Sequence, residues 1–331
     1  MIHRQKFLLC LALACLIGVP SCDSKEKQAS VVAKTLYNFD SAKALHLEFS
    51  GEKALAHVQA QVDLGARPAG SKAIEKCREY LKSQLKAFGW TVKEQSFSEY
   101  TPKGQVDFVN IRARVEVPQS DTWKRPCAVL VGSHYDTKLF SSFEFVGAND
   151  AGSSTGVLLE MARVLGARTD AAQFLELVFF DGEEAMVNYT MNERTQLPED
   201  GLYGSRRYVK EMREWPPIQR PLFMLLLDMV GDKDLKIEMP NNSTPLLKQK
   251  VIESARDLGL EKFFAEGSKD ILDDHHPFLV SGIRAVDIID LNYPAWHTST
   301  DKMDQISAES LATAGKTTLL TIEKLLAAEA K

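Results

Sequence analysis

The sequence predicts an α/β protein, a three-layer α/β/α sandwich around a central mixed, mostly parallel sheet. Three observations predict it. The runs AVLVGS (128–133), FLELVFF (174–180) and PLFMLLLD (221–228) are almost continuously apolar, as strands covered on both faces must be. Stretches of helical period alternate with them. A chain of 331 residues with 44% hydrophobic content can bury one large core.

The elements follow in order. MIHRQK is a basic start, FLLCLALACLIGV an apolar run too short to span a bilayer comfortably, and VPSC ends at Cys22, so residues 1–22 read as an export signal. Cys22 stands where a bacterial lipoprotein precursor carries its lipidated cysteine, and the alternative is an ordinary cleaved signal. The expected location is the periplasm or cell envelope, with Cys22 as anchor. Residues 23–42 read as a polar linker and 43–331 as one catalytic domain.

Leu55, Val58 and Val62 mark a helix, GARPAGS a turn, and residues 71–88 a second helix stopped by Gly89. TVKEQSF and VNIRARVEV alternate as a half-exposed hairpin, and CAVLVGSHYD is a buried strand. After Asp150, AGSSTGVLLEMARVLG forms a helix with Val157, Leu158, Met161 and Leu165 on its apolar face. FLELVFFDGEE is a strand with its loop, LYGSRRYVKEM a helix, PLFMLLLDMVGD a strand, PLLKQKVIESARDLG a helix and RAVDIID a strand, before a closing helix from residue 307. Residues 186–200 and 262–276 read as long irregular connections suited to binding loops.

Composition excludes some functions. With a net charge of -5 and no run of basic residues, nucleic acid is not an expected partner. Of five cysteines, Cys10 and Cys15 lie in the leader and Cys22 at its end, leaving Cys77 and Cys127 for the fold. A single disulfide could join them, but Cys77 sits on an apolar helical face and reads as a buried small residue. No CxxC pair occurs, so a thiolate zinc site is excluded.

Polar residues then collect at the ends of the buried strands: His134 and Asp136, Glu183 and Glu184, Asp228, and His297 in the loop after VDIID. Asp150 joins them from a helix start. Singly, each has a plain explanation: an N-cap for Asp150, turn residues for Asp136 and Asp228, a satisfied core histidine for His134. Together they mark the crevice that open α/β sheets form at the carboxyl ends of their strands. Adjacent Glu183 and Glu184 repel one another, which a cation relieves by taking one as ligand and leaving the other as a base.

HYD at 134–136, ND at 149–150, EE at 183–184, LLD at 226–228 and WHTSTD at 296–301 resemble the M28 zinc exopeptidase family, over nearly all of the chain after the leader. The resemblance implies a zinc exopeptidase-like fold, with zinc held by Asp150, Glu184 and His297 and with Glu183 as general base. In the aminopeptidase branch it implies two zincs, with His134 and Asp228 as further ligands and Asp150 bridging. Asp136 would then ligate or support the second position.

A narrower likeness lies in HYDTK, FFDGEEA, LYGSRR, DDHHPFL and AWHT, which resemble the glutaminyl cyclase branch of that family. It implies conversion of N-terminal glutamine to pyroglutamate with release of ammonia, on one zinc. It also implies aromatic pocket walls at Tyr189, Tyr293 and Trp296, and a proton-sharing pair of Asp228 and Asp273 that keeps Asp228 from a second zinc. The chain departs from that pattern at Tyr189, Leu272 and Asp287, where the branch carries tryptophan, glutamine and histidine. Ser133 and Thr155 stand where animal enzymes carry a disulfide, and YTMNERTQLPEDG is inserted before LYGSRR. The partners expected are peptide or protein N-termini, with no nucleic acid, no membrane beyond the lipid anchor, and a monomeric state. Two alternatives remain open, a dinuclear aminopeptidase and a binding domain that has lost its metal; retention of Glu183 with every implied ligand speaks against the second.

Overall fold

Period-two alternation inside the apolar runs decides the layers. In the computed structural model, which describes residues 44–329, the odd-numbered residues Val129, Val131, Leu175, Leu177, Phe179, Phe223, Leu225 and Leu227 fill one core. The even-numbered Leu130, Val178, Phe180, Met224 and Leu226 fill another. A strand whose two faces both meet apolar layers has no polar side, which is why these segments read as unbroken hydrophobic runs. The leader, Cys22 and the linker lie outside the described residues.

The chain runs α1 (Gly51–Val62), α2 (Lys72–Ala87), β1 (Trp90–Thr101), β2 (Gly104–Val115), β3 (Val129–His134), α3 (Ser154–Gly166), β4 (Leu175–Phe180), α4 (Tyr203–Met212), β5 (Phe223–Asp228), α5 (Pro245–Asp257), β6 (Arg284–Ile289) and α6 (Ala308–Glu329). Local chemistry sets the helix starts: Ser50 Oγ accepts from Lys53 N (3.3 Å) and Ser71 Oγ from Ile74 N (3.1 Å). Gly89, at φ +85°, lets the chain turn from α2 directly into β1.

The six main strands lie in the order β1-β2-β4-β3-β5-β6. β1 with β2 and β2 with β4 are antiparallel, while β4 with β3, β3 with β5 and β5 with β6 are parallel. α1, α2, α3, α5 and α6 join the larger core; α4 and the short helix His276–Val280 cover the opposite face. From β3 the chain goes to β4 on one side and later to β5 on the other, so β3 is the topological switch point, and a crevice opens at its carboxyl end.

Two expectations change. The hairpin was expected to be half exposed, but β2 is buried from Phe108 to Val115 because β4 pairs with its other edge. Its charged residues are therefore enclosed: Arg112 Nε donates to Glu176 Oε1 (2.6 Å), Arg114 lies 3.7 Å from Glu176 Oε2, and Tyr208 OH donates to Glu176 Oε1 (3.2 Å). The segments 186–200 and 262–276 are also more ordered than their sequences suggest. Met191–Asn192 pairs with Leu197–Pro198, and Phe264–Glu266 adds to Ile237–Met239. Cys77 and Cys127 are both buried and both free. Among the described residues no helix is long and apolar enough to cross a membrane.

Removing one partner of a buried ion pair strands the other charge. Glu176→Ala leaves Arg112 and Arg114 uncompensated, and its unfolding free energy in urea should fall by about 3–5 kcal/mol. The metal content of the folded fraction should not change, since Glu176 lies at the start of β4 and far along the strand from its carboxyl end.

Candidate metal centre and active site

β4 ends at Phe180, and the chain must then turn so that Glu183 and Glu184 can face the crevice. Gly182 makes the turn at φ +72°, where a side chain would be strained and a Cβ would also lie 2.4 Å from the Phe108 ring. The turn is held by carboxylates acting on backbone amides. Asp136 accepts from Glu183 N (3.1 Å) and Glu184 N (3.3 Å). Asp200 accepts from Met186 N, Val187 N and Asn188 N, and from Tyr203 OH. Asp136 therefore positions the two glutamates through their amides.

Asp150 is presented in the same way. Asp301 accepts from Asn149 N (2.8 Å) and Asp150 N (3.1 Å), in a wide turn, Ala148–Ser153, that contains a cis Asp150–Ala151 peptide and leads into α3. Tyr293 OH donates to Asp301 Oδ1 (2.7 Å). The ring of Tyr293 is 4% exposed and packs with Met229, Ile289 and Ala295. Expected as a pocket wall, Tyr293 instead serves through Asp301, because the loop after β6 turns its ring into the core.

His297 adopts φ +55° and Met229, directly after Asp228, φ +46°. Such conformations are uncommon for residues with a side chain and concentrate at functional turns. Here they close the group. His297 Nε2 lies 3.0 Å from Glu184 Oε1 and 3.3 Å from Asp150 Oδ2. His134 Nε2 lies 3.3 Å from Asp150 Oδ1 and 3.2 Å from Asp228 Oδ1, with its Nδ1 3.5 Å from Asp136 Oδ1. Asp150 thus gives one oxygen to each imidazole.

These spacings fit a metal. Ligand atoms about 2.0–2.1 Å from a tetrahedral zinc stand about 3.3 Å from one another; His297 Nε2 stands 3.3 Å from Asp150 and 3.0 Å from Glu184, and the three ligand atoms lie within 4.8 Å of one another. Glu184 Oε2 is buried without a hydrogen-bond partner, although Lys138 Nζ stands 3.5 Å away. His134, Asp150 and Asp228 form a second group of the same kind.

Charge crowding explains the protonation pattern. Burial raises the Glu183 carboxyl well above the usual range; His134 opposes this and the charge of Glu184 adds to it. Tyr189 OH donates to Glu183 Oε1 (2.6 Å). Burial, followed by the charge of Asp228, lifts Asp273 well above the carboxylate range, and burial lifts Asp228 too. Asp287 is raised well above its usual range by burial and by Asp273. Burial also disfavours ionised Asp150, but hydrogen bonds with His134 and His297 outweigh it and hold that carboxyl below the usual range.

Of the three predicted aromatics, Trp296 faces outward, 46% exposed, stacked on the His297 ring at 4.5 Å, while Tyr189 stands beside Glu183. Several site residues had not been singled out from sequence. Phe140 and Phe145 meet the His297 ring edge-on at 5.6 and 5.8 Å, and Lys138 Nζ donates to Ala185 O (2.6 Å). Asp200 and Asp301 hold the two loops. Asp301 lies in WHTSTD and Lys138 in HYDTK, so the motifs contained both without marking their work.

Comparison with known proteins agrees with this architecture. The profile of peptidase family M28 matches residues 110–322. A glutaminyl-peptide cyclotransferase of Drosophila melanogaster is 28% identical over 328 residues, covering 89% of this chain and 88% of the relative. The crystal structure of an Acidobacteriales bacterium glutaminyl cyclase superposes with a TM-score of 0.75 at 30% identity, over 85% of this chain and 96% of that one. A structure described as a leucine aminopeptidase precursor, from Bacteroides thetaiotaomicron, gives a TM-score of 0.72 at 28% identity, over 83% and 97%. With the profile matched over most of the chain and relatives and structures of this kind beside it, the chain belongs to peptidase family M28, of the glutaminyl cyclase type.

Proposed function

We propose that this protein is a zinc-dependent glutaminyl-peptide cyclotransferase, closing an N-terminal glutamine of a peptide or protein to pyroglutamate with release of ammonia. The observation that carries the reading is Glu183: a buried carboxyl adjacent in sequence to Glu184 of the Asp150, Glu184 and His297 group and oriented by the Tyr189 hydroxyl. A carboxyl held there can both accept and return a proton.

Asp150, Glu184 and His297 would hold the zinc, which when bound supplies a Lewis acid that polarises a carbonyl oxygen. The substrate's own α-amine attacks its γ-carbonyl carbon, a C–N bond forms, and the amide nitrogen leaves as ammonia. Glu183 takes the proton from the attacking amine and delivers it to the departing nitrogen. Asp273, with Asp228 beside it, accepts hydrogen bonds from the amine and fixes its direction of attack. Trp296 walls the mouth, and folding a flexible side chain back on itself gains most from such orientation. On this reading the buried carboxyls of Asp228 and Asp273 share a proton, which leaves Asp228 to the amine and the site to one zinc.

The second reading is a dinuclear aminopeptidase, favoured by the His134, Asp150 and Asp228 group and by the leucine aminopeptidase precursor among similar structures. Metal analysis separates the two: close to one zinc per chain supports the cyclase, and two tightly held zincs support the aminopeptidase. We also propose export and anchoring through Cys22, on the pattern of residues 1–22; Cys22→Ser should then release the protein from membranes, and unchanged retention in fractionation would count against the anchor.

Glu183→Gln should keep zinc and lose about a hundredfold to ten-thousandfold in ammonia release from a glutaminyl peptide, because glutamine cannot carry the proton. Free hydrolysis of an aminoacyl amide by the wild type, with no ammonia from glutamine, would overturn the cyclase reading. Asp301→Asn weakens the hold on the Asn149 and Asp150 amides, and zinc affinity measured by competition with a chelator should fall about tenfold to a hundredfold.

A further inference from the structure

Along α4 and at its C-cap, Tyr203, Arg206, Arg207, Lys210 and Arg213 recur at three- and four-residue spacing and line one side of a cleft of about 260 Å³. Leu197 of the inserted hairpin and Pro277 close it, and Glu99 is the single carboxylate in its lining. Arg207 is compensated by Glu211 (2.8 Å). Arg206 donates to Pro198 O and lies over the Tyr203 ring at 4.8 Å, yet its Nε is buried without a hydrogen-bond partner. Among the described residues neither Lys210 nor Arg213 pairs with a carboxylate.

Like charges three or four apart on a helix repel, and a desolvated guanidinium nitrogen with no acceptor is costly. In a chain of net charge -5, a concave patch of four cations is a local reversal that focuses a positive field on one cavity. We propose that this cleft is a binding site for a small phosphate-bearing anion, either free in solution or carried as a lipid headgroup. Guanidinium and ammonium groups on two helix turns match the several oxygens of a phosphate, and the exposed Lys210 and Arg213 at the rim leave their donors to a ligand. The site is separate from the metal centre. Its Leu197 wall belongs to the hairpin that follows Tyr189, whose Pro198 O accepts from Arg206.

The test titrates wild-type holoenzyme and a Lys210→Glu, Arg213→Glu double variant with inorganic phosphate and pyrophosphate by calorimetry, at constant ionic strength. A parallel arm sediments both proteins with phosphatidylglycerol vesicles. Both substitutions are at exposed positions, so the variant should keep its circular dichroism, zinc content and turnover. Saturable binding of a soluble phosphate, at least about tenfold weaker in the variant, supports the site and a free ligand. Sedimentation with vesicles alone, lost in the variant, supports it with a headgroup as ligand. Absence of binding in both arms, or binding equal in the two proteins as an anion at the metal centre would give, overturns it.

Discussion

The constraint on which the rest depends is the crowding of carboxylates at the carboxyl end of one sheet. Asp150, Glu183, Glu184, Asp228, Asp273 and Asp287 are all buried there, and they cannot all be ionised in a medium that screens charge poorly. Some must keep a proton and some must face positive charge. The fold sorts them by contact: Asp150 and Glu184 converge on the imidazole of His297, while burial pushes Glu183, Asp273 and Asp287 well up and raises Glu184 and Asp228 too, leaving Asp150 alone below the usual range. Adjacent glutamates with opposite duties follow from that division. The pairing repels in isolation and becomes workable beside a cation.

A second set of aspartates is engaged by backbone amides. Asp136, Asp200 and Asp301 each spend both oxygens on successive backbone amides and so fix the loops that carry Glu183, Glu184 and Asp150. Charge-assisted hydrogen bonds of this kind hold a loop more stiffly than neutral ones. Orientation at the tenth-of-a-nanometre scale matters for ligands, and the rigidity comes from outside the ligand set. His297 shows the same principle by packing: Phe140, Phe145 and Trp296 surround its ring, and the backbone accepts a left-handed conformation to place it.

The mixed sheet makes this arrangement available. Four parallel strands deliver their carboxyl ends to one edge, and the antiparallel β1 and β2 extend the sheet without adding to the crevice. Enclosing β2 required burial of Arg112 and Arg114, which Glu176 offsets. That group stabilises the flank of the sheet and leaves the crevice free to carry its own unbalanced charge.

Much of this was legible in the sequence. Apolar continuity gave the parallel strands, helical period gave the helices, and polar residues at strand ends gave His134, Asp150, Glu183, Glu184, Asp228 and His297, because those signals are local and depend on residue type. Other features were decided only by tertiary contact. A carboxylate in a loop reads the same whether it binds a metal or two amides, so Asp136 stood as ligand or support alike, and the work of Asp200 and Asp301 could not be read. Tyr293 is an aromatic beside a motif, and sequence conveys its size but not its direction; the loop after β6 turned it onto Asp301. The burial of Arg112 and Arg114 depended on which strand took the free edge of β2, a long-range pairing that no local pattern encodes. Residue chemistry therefore determined what gathers at the crevice, and the sheet's strand order determined which of those groups touch.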